Sequence, residues 1–325
     1  MADYPYGDRP PETNKEWRLI EKMLLSMHDE QRKQRRWSIF FRGAGLAYLF
    51  LILFLVWPSR VSDRAPSASE SHTAIIDLTG IISSESESSA DLLSSGLRRA
   101  FEAEHSKAVL MRVNSPGGSP VQSAYVYREI QRLRGEHPDK KLYAVITDLG
   151  ASGAYYIASA ADEIYVDPSS LVGSIGVIMG GFGFSDAIEK LGIERRVMKA
   201  GENKDMFDPF APLQDRHEEH FQQLLDEVHG QFISAVKQGR GERLDSSRSE
   251  EIFSGLVWTG EQAIELGLAD GVGSPGQVAR DVIGEERVVD YTAVVSPFDR
   301  FLRGLGVSVG EGIGKVLGLE QTRLR

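Results

Sequence analysis

Between Thr73 and Val272, short runs rich in β-branched residues alternate with longer amphipathic stretches, and this alternation limits the fold more than any other feature of the chain. The segments Ala74–Leu78, Ala108–Val113, Leu142–Thr147, Glu163–Val166 and Ser174–Met179 read as strands, while Ala90–Ala103, Val121–Leu133 and Ser152–Ala161 carry helical spacing. Strands that run in one sense need a crossover between them, and a helix is the usual bridge. The fold class expected is therefore α/β with a mainly parallel sheet. A long amphipathic helix is expected over Gln214–Lys237. Thr259 reads as a helix cap with Gln262 three residues on, two shorter helices follow, and a strand near Leu268–Val272 closes the domain. There is no tandem repeat.

A second constraint lies upstream. Trp37–Trp57 reads WSIFFRGAGLAYLFLILFLVW, with Arg42 as its only charge. As a helix it would span about 31 Å, close to the thickness of bilayer hydrocarbon, with a tryptophan at each interface. One N-terminal transmembrane helix is expected at 37–57. Arg32, Lys33, Arg35 and Arg36 precede it, whereas the residues after it carry little net charge, so the positive-inside rule places the N-terminus in the cytoplasm. The tail before the span is long for a signal-peptide n-region, so an uncleaved signal anchor is expected. Trp17, Ile20, Leu24 and Met27 recur at helical spacing, which fits an amphipathic helix on inner headgroups over Asn14–Arg36 as well as it fits a solvated tail.

The resulting organisation is a cytoplasmic tail at 1–36, the span at 37–57, a flexible Ser/Pro/Ala linker at 58–72, an extracytoplasmic domain at 73–290 and a Gly-rich tail or arm at 291–325. The formal net charge of −10 argues against a nucleic-acid partner. With no cysteine, the chain has neither a thiolate metal site nor a cysteine nucleophile.

Two segments carry candidate chemistry. In Asp148–Tyr156 a lone serine, Ser152, sits among small residues where an apolar run gives way to an Ala-rich helix. Such a strand-to-helix turn exposes a nucleophilic hydroxyl and aims backbone N–H groups at the same point; it also simply lets a helix start close against a sheet. Asn114-Ser-Pro-Gly-Gly-Ser119 follows another strand, and its glycines can turn N–H groups outward as an oxyanion site requires, or make a plain turn. A base for Ser152 is harder to find. His28, His72, His105 and His137 lie in tails, linker or charged loops, and His217, His220 and His229 share a carboxylate-rich helix that reads as surface. A desolvated lysine can serve instead, and the stretch after Arg195 offers Lys199 and Lys204.

From about Thr73 to Gly284 the chain resembles the membrane-anchored serine peptidases of the signal peptide peptidase A family, in their half-length, single-repeat form. The resemblance rests on Asn114–Gly118, Ala151–Ala158, Gly173–Val177, Ala200–Phe207 and Val257–Ala263, five segments in order. It implies a Clp protease/crotonase-like fold, with Ser152 as nucleophile, Lys204 as general base and Ser174 orienting the lysine amine. Gly117 or Gly118 with Gly153 would form the oxyanion hole, and no cofactor or metal would be needed. It further implies peptide substrates, notably signal-peptide remnants, contact with membrane lipid at the bacterial cytoplasmic membrane, and a homo-oligomer with sites at subunit boundaries. Two departures concern the pocket: Ala154 stands where glycine is commoner, and Asn203 where an aromatic often precedes the lysine. A crotonase-like acyl-CoA enzyme and a non-catalytic membrane scaffold are the rival readings of the same fold.

Overall fold

The computed structural model describes residues 22–23, 35–51 and 70–293. Residues 35–51 are helical and belong to one compact unit, residues 70–293 to another. In the helix the aromatic side chains are exposed, and Trp37 stacks on Phe41 at 5.6 Å. Among the described residues no helix is long and apolar enough to cross a membrane. The second part of the expected span, 52–57, lies outside the described residues, as do most of the expected amphipathic segment 14–36, residues 58–69 of the linker and the tail from 294 onward.

The second unit is built on eight strands: β1 His72–Thr79, β2 Ser106–Ser115, β3 Leu142–Ala151, β4 Glu163–Val166, β5 Leu171–Gly173, β6 Val257–Thr259, β7 Gly271–Val272 and β8 Val288–Asp290. Their main order is β6-β5-β3-β2-β1-β8, with β4 and β7 branching from β3. Every pairing is parallel except β5 with β6, as the βα alternation led one to expect. In β2 the consecutive residues Ala108, Val109, Leu110 and Met111 are all buried, the mark of a central strand covered on both faces. Helices α1 (Ala90–Glu102), α2 (Pro120–Glu136) and α3 (Gly153–Ala158) cover one face. There Leu97, Phe101, Ile130 and Ile157 pack on Ile76, Val109 and Ala144. On the other face Ile75, Leu110 and Val145 meet Val278 and Ala279 of the 278–283 helical turn. Burying each large aliphatic side chain contributes roughly 1.5–3 kcal/mol, so the two-sided sheet is the main source of stability.

Further helices include α4 (Ser185–Lys190), α5 (Asp215–Arg240), α6 (Ser249–Ile252) and α7 (Gly260–Glu265). Thr259 caps α7 in a full capping box with Gln262, as its spacing predicts. The strand expected at Ser174–Met179 is a difference: β5 occupies 171–173 instead and ends where Ser174 takes a φ of 50°. A left-handed residue turns the chain off the sheet, so the β-branched residues behind it go elsewhere. The strand near Leu268–Val272 shortens to Gly271–Val272. At the other end of the sheet, His72 already belongs to β1 and is buried. Its Nε2 lies 2.9 Å from the hydroxyl of Tyr291, which follows β8.

What positions the site is the fork in β3. Its first half pairs with β4 through Tyr143–Ile146, its last three residues pair with β5, and the chain then turns into α3.

Candidate active site

Ser152 stands at that turn with φ 54° and ψ −126°, a conformation costly for a residue with a side chain. Three contacts hold it there. Its N–H donates to the carbonyl of Gly173 at 2.8 Å, its carbonyl accepts from the N–H of Tyr156 at 2.9 Å, and the adjoining Ala151 pairs with Gly173 in the sheet. Helix α3 is itself anchored in the core, with Ala154, Tyr155, Ile157 and Ala158 buried and the Tyr155 hydroxyl donating to the carbonyl of Leu268 at 2.8 Å. The strained serine is thus fixed from both sides and remains half-buried at the surface of a cleft.

The Asn114–Ser119 turn arrives at the same place from β2. Gly117 has φ 93°, and its N–H donates to Ser115 Oγ at 3.1 Å. Ile82 pins the turn by donating to Gly117 O at 2.9 Å and accepting from Ser119 N at 2.8 Å. Ser119 then caps α2. A Cβ on Gly117 would lie 2.6 Å from Gly153 N and 2.8 Å from Ser152 Cβ. One on Gly153 would lie 3.3 Å from Gly118 N and 2.4 Å from Ser123 Oγ. The two glycine segments therefore touch with no room for side chains. The N–H groups of Gly118 and Gly153 have no acceptor among the described residues. Two free backbone donors beside a strained hydroxyl can receive developing negative charge on an oxygen.

Ser174 enters through the same hydrogen bond that holds Ser152, since it follows Gly173 directly. Its φ is 50°, its N–H donates to Leu256 O at 2.7 Å, and its carbonyl accepts from Gly176 N at 2.9 Å. The chain beyond it runs to Val177 and Ile178, which line the cleft. His229 of α5, read from sequence as a surface residue, is partly buried and places Nε2 3.0 Å from the carbonyl of Ile175, bracing this segment. His217 likewise is buried, with Nε2 3.3 Å from Asn203 Oδ1, because α5 packs its N-terminal turns against the 199–207 loop. Only the side of the helix away from these loops was legible as polar.

Lys204 is exposed, on the loop that His217 and the Arg216–Glu202 ion pair fasten to the start of α5. The cleft containing Ser152 is lined instead by the middle of that helix, at Val228, Gln231 and Phe232. From His217 to Val228 the axis rises about 17 Å, and Lys204 does not line the cleft. Ser152, Gly118 and Gly153 line the cleft, Gly117 and the Gly173–Ser174 turn adjoin them, and Lys204 is not among the lining residues. Of the two lysines the sequence offered, Lys199 is committed to Asp205 at 2.6 Å, while the Lys204 amine has no partner among the described residues.

The cleft has a volume of about 400 Å³. Its floor is aromatic: Tyr156 stacks on Phe232 at 4.9 Å and meets Tyr127 edge-on at 5.3 Å. Burial pushes the Tyr156 phenol up, partly opposed by the nearby charge of Arg128. Sequence reasoning did not find Tyr125 and Arg128 of α2, which border the cleft. The signal was available in the spacing of Val121, Ala124, Tyr125 and Arg128, which form a second stripe on α2 opposite the core residues Val126, Ile130 and Leu133.

A parallel α/β sheet here holds a serine of strained backbone at a strand-to-helix turn, facing backbone N–H groups without an acceptor among the described residues, an arrangement suited to nucleophilic serine chemistry. Residues 136–287 match the family model described as Peptidase family S49. Among relatives, the Na(+)/H(+) antiporter NhaA of Brucella melitensis is 42% identical over 232 residues, 70% of this chain and 31% of that protein. The "Putative signal peptide peptidase SppA" of Enterococcus faecium is 31% identical over 198 residues, 61% of this chain and 56% of that one. The "Putative protease slr0021" of Synechocystis is 32% identical over 222 residues, 68% of this chain and 74% of that one. The chain belongs to peptidase family S49, as the resemblance seen in its five motifs implied. It spans about a third of the antiporter and about half of the Enterococcus protein.

Proposed function

We propose that the chain is a serine endopeptidase in which Ser152 is the nucleophile and Lys204 the general base. The observation that carries this reading is the strained Ser152 beside the unpaired N–H groups of Gly118 and Gly153. Lys204 Nζ accepts the proton of Ser152 Oγ as that oxygen bonds to the scissile carbonyl carbon, and the two backbone donors hold the resulting oxyanion. The C–N bond then breaks, the amine leaves with the proton returned by the lysine, and water hydrolyses the acyl ester to free the serine. No cofactor or metal takes part.

In this reading Lys204 of the partner subunit serves Ser152, because within one chain the Lys204 loop is fastened to the start of α5 while the Ser152 cleft is lined by its middle. Burial at the subunit boundary is what would take the amine out of water and favour its neutral form. The fold would be of the Clp protease/crotonase kind, in a homo-oligomer anchored by one N-terminal span at 37–57. The catalytic domain would face the extracytoplasmic side of a bacterial cytoplasmic membrane. Substrates would be extended apolar peptides, among them signal-peptide remnants, suited to the aromatic floor of the cleft.

A serine-reactive fluorophosphonate followed by peptide mapping tests the nucleophile: label on Ser152 supports the reading, and label elsewhere or none rejects it. Ser152→Ala and Lys204→Ala should each lower peptide hydrolysis by about 10⁴-fold with assembly intact. Mixing the two inactive variants should restore part of the activity if the dyad spans subunits; mixtures that stay inactive while homogeneous wild type works would reject the shared site.

A further inference from the structure

Among the described residues, Arg128 is the one charged residue lining the Ser152 cleft. Its surroundings differ from those of the other arginines on α2. Arg132 is paired with Glu129 and Glu136, and Arg134 with Asp162. Arg128 has no carboxylate partner among the described residues, in a chain with 47 acidic residues against 37 lysines and arginines. Its guanidinium is instead held over the Tyr125 ring, 5.1 Å from the centroid. Cation–π contact fixes the planar group while leaving its N–H fork free, which is how a protein keeps an arginine ready for a planar anion.

Position sets what that anion can be. Helix α2 begins at Pro120, with one residue, Ser119, between it and the glycines beside Ser152, and Arg128 lies eight positions further along. That is about 12 Å along the helix. An extended peptide rises about 3.3 Å per residue, so a substrate whose scissile carbonyl sits at Ser152 would bring a group about three to four residues away to Arg128. The intervening wall, Val121, Ala124 and Tyr156, is apolar or aromatic and offers an anion nothing else.

We propose that Arg128 is a specificity-determining residue that selects peptides carrying a carboxylate about three to four residues from the scissile bond. This rests on the peptidase reading above. The carboxylate is either an acidic side chain or the free C-terminus of the peptide. Both offer two oxygens to the guanidinium fork in a site open to water but floored by rings, where a charge-assisted pair is stronger than on a flat surface.

The full-length assembled protein is tested with three quenched peptides that share one apolar core. The first is uncharged and blocked at both ends, the second carries glutamate at the third or fourth residue before the cut, and the third ends in a free carboxylate the same distance after it. At least one carboxylate peptide should exceed the blocked peptide by about tenfold in kcat/KM, chiefly through KM, and which one does so identifies the source of the carboxylate. The ratio should fall to near one in Arg128→Gln, survive in Arg128→Lys, and reverse toward a lysine-bearing peptide in Arg128→Glu. Raising salt should shrink it. Equal rates for all three peptides, or a ratio that persists in Arg128→Gln, would overturn the inference while leaving the peptidase reading intact, because the blocked peptide is still cut. If wild type cuts none of them and Ser152 takes no fluorophosphonate, both readings fall.

Discussion

Ser152 donates its N–H to the carbonyl of Gly173 at 2.8 Å, so two left-handed turns, at Ser152 and at Gly173–Ser174, hold each other in place. A shift in one must displace the other. Gly173 has φ 104°, and a Cβ there would stand 2.8 Å from Trp258 Cδ1 and 3.1 Å from Leu256 O. Gly173→Ala should therefore cost about 1–3 kcal/mol of stability through backbone strain and lower hydrolysis more than tenfold. Urea unfolding alongside peptide kinetics checks it; a stable variant with full activity would mean the two turns are independent.

Gly117→Ala asks a different question, since its Cβ would fall 2.6 Å from Gly153 N, in the space an oxyanion would need. The expected result is a loss of about 10²–10³-fold in kcat, the scale of removing an oxyanion donor. Fluorophosphonate labelling should slow in parallel, while circular dichroism stays close to wild type.

How much of this was readable beforehand depends on the range of the interaction. Strands β1 to β4 and helices α1, α2 and α5 follow from local periodicity and lie within a few residues of expectation. Ser152 could be singled out because small neighbours and a strand-to-helix junction are local too. The end of β5 at Gly173 was not legible, because Val177 and Ile178 look like strand residues and only their place in the cleft explains them. The pairing of β8 with β1 is set by contacts across more than two hundred residues, which no local pattern encodes. The residues offered both Lys199 and Lys204, the choice of Lys204 came from family resemblance, and a single chain leaves it on an exposed loop.

Arg240 is fully buried and paired with Asp270 in a two-bonded fork at 2.7 and 2.9 Å, while Asp270 also accepts from Ile164 N at 2.7 Å. The pair fastens the end of α5 to β4. Burial, the largest single influence, works to raise the Asp270 carboxyl, but the Arg240 bond and charge, the Ile164 N–H and the Arg243 charge together outweigh it and the net displacement is downward. A carboxylate held below its unfolded value contributes stability that is present above about pH 4 and is lost as pH falls through the folded value. Asp270→Asn should cost about 3 kcal/mol or more at neutral pH by leaving Arg240 buried and unpaired, and should flatten the acid limb of the unfolding curve. An unchanged denaturation midpoint would show the pair to be dispensable.

His72 titrates in another window. Desolvation lowers it, and the charges of His105 and Lys140 lower it further, against a smaller opposing effect of Glu285. Since the unfolded histidine takes up a proton first, stability should be full above about pH 6.5 and decline below it. His72→Phe, which keeps a ring against Tyr291, should remove that slope between pH 7 and pH 5 in urea titrations. A slope that survives would assign it to another group.

The contact of His72 with Tyr291 has a consequence for the history of the chain. Because β8 lies beside β1, the polypeptide enters and leaves the folded unit at one corner. A module whose two ends are neighbours can be spliced into a host sequence, or fused to a foreign partner, without pulling its sheet apart.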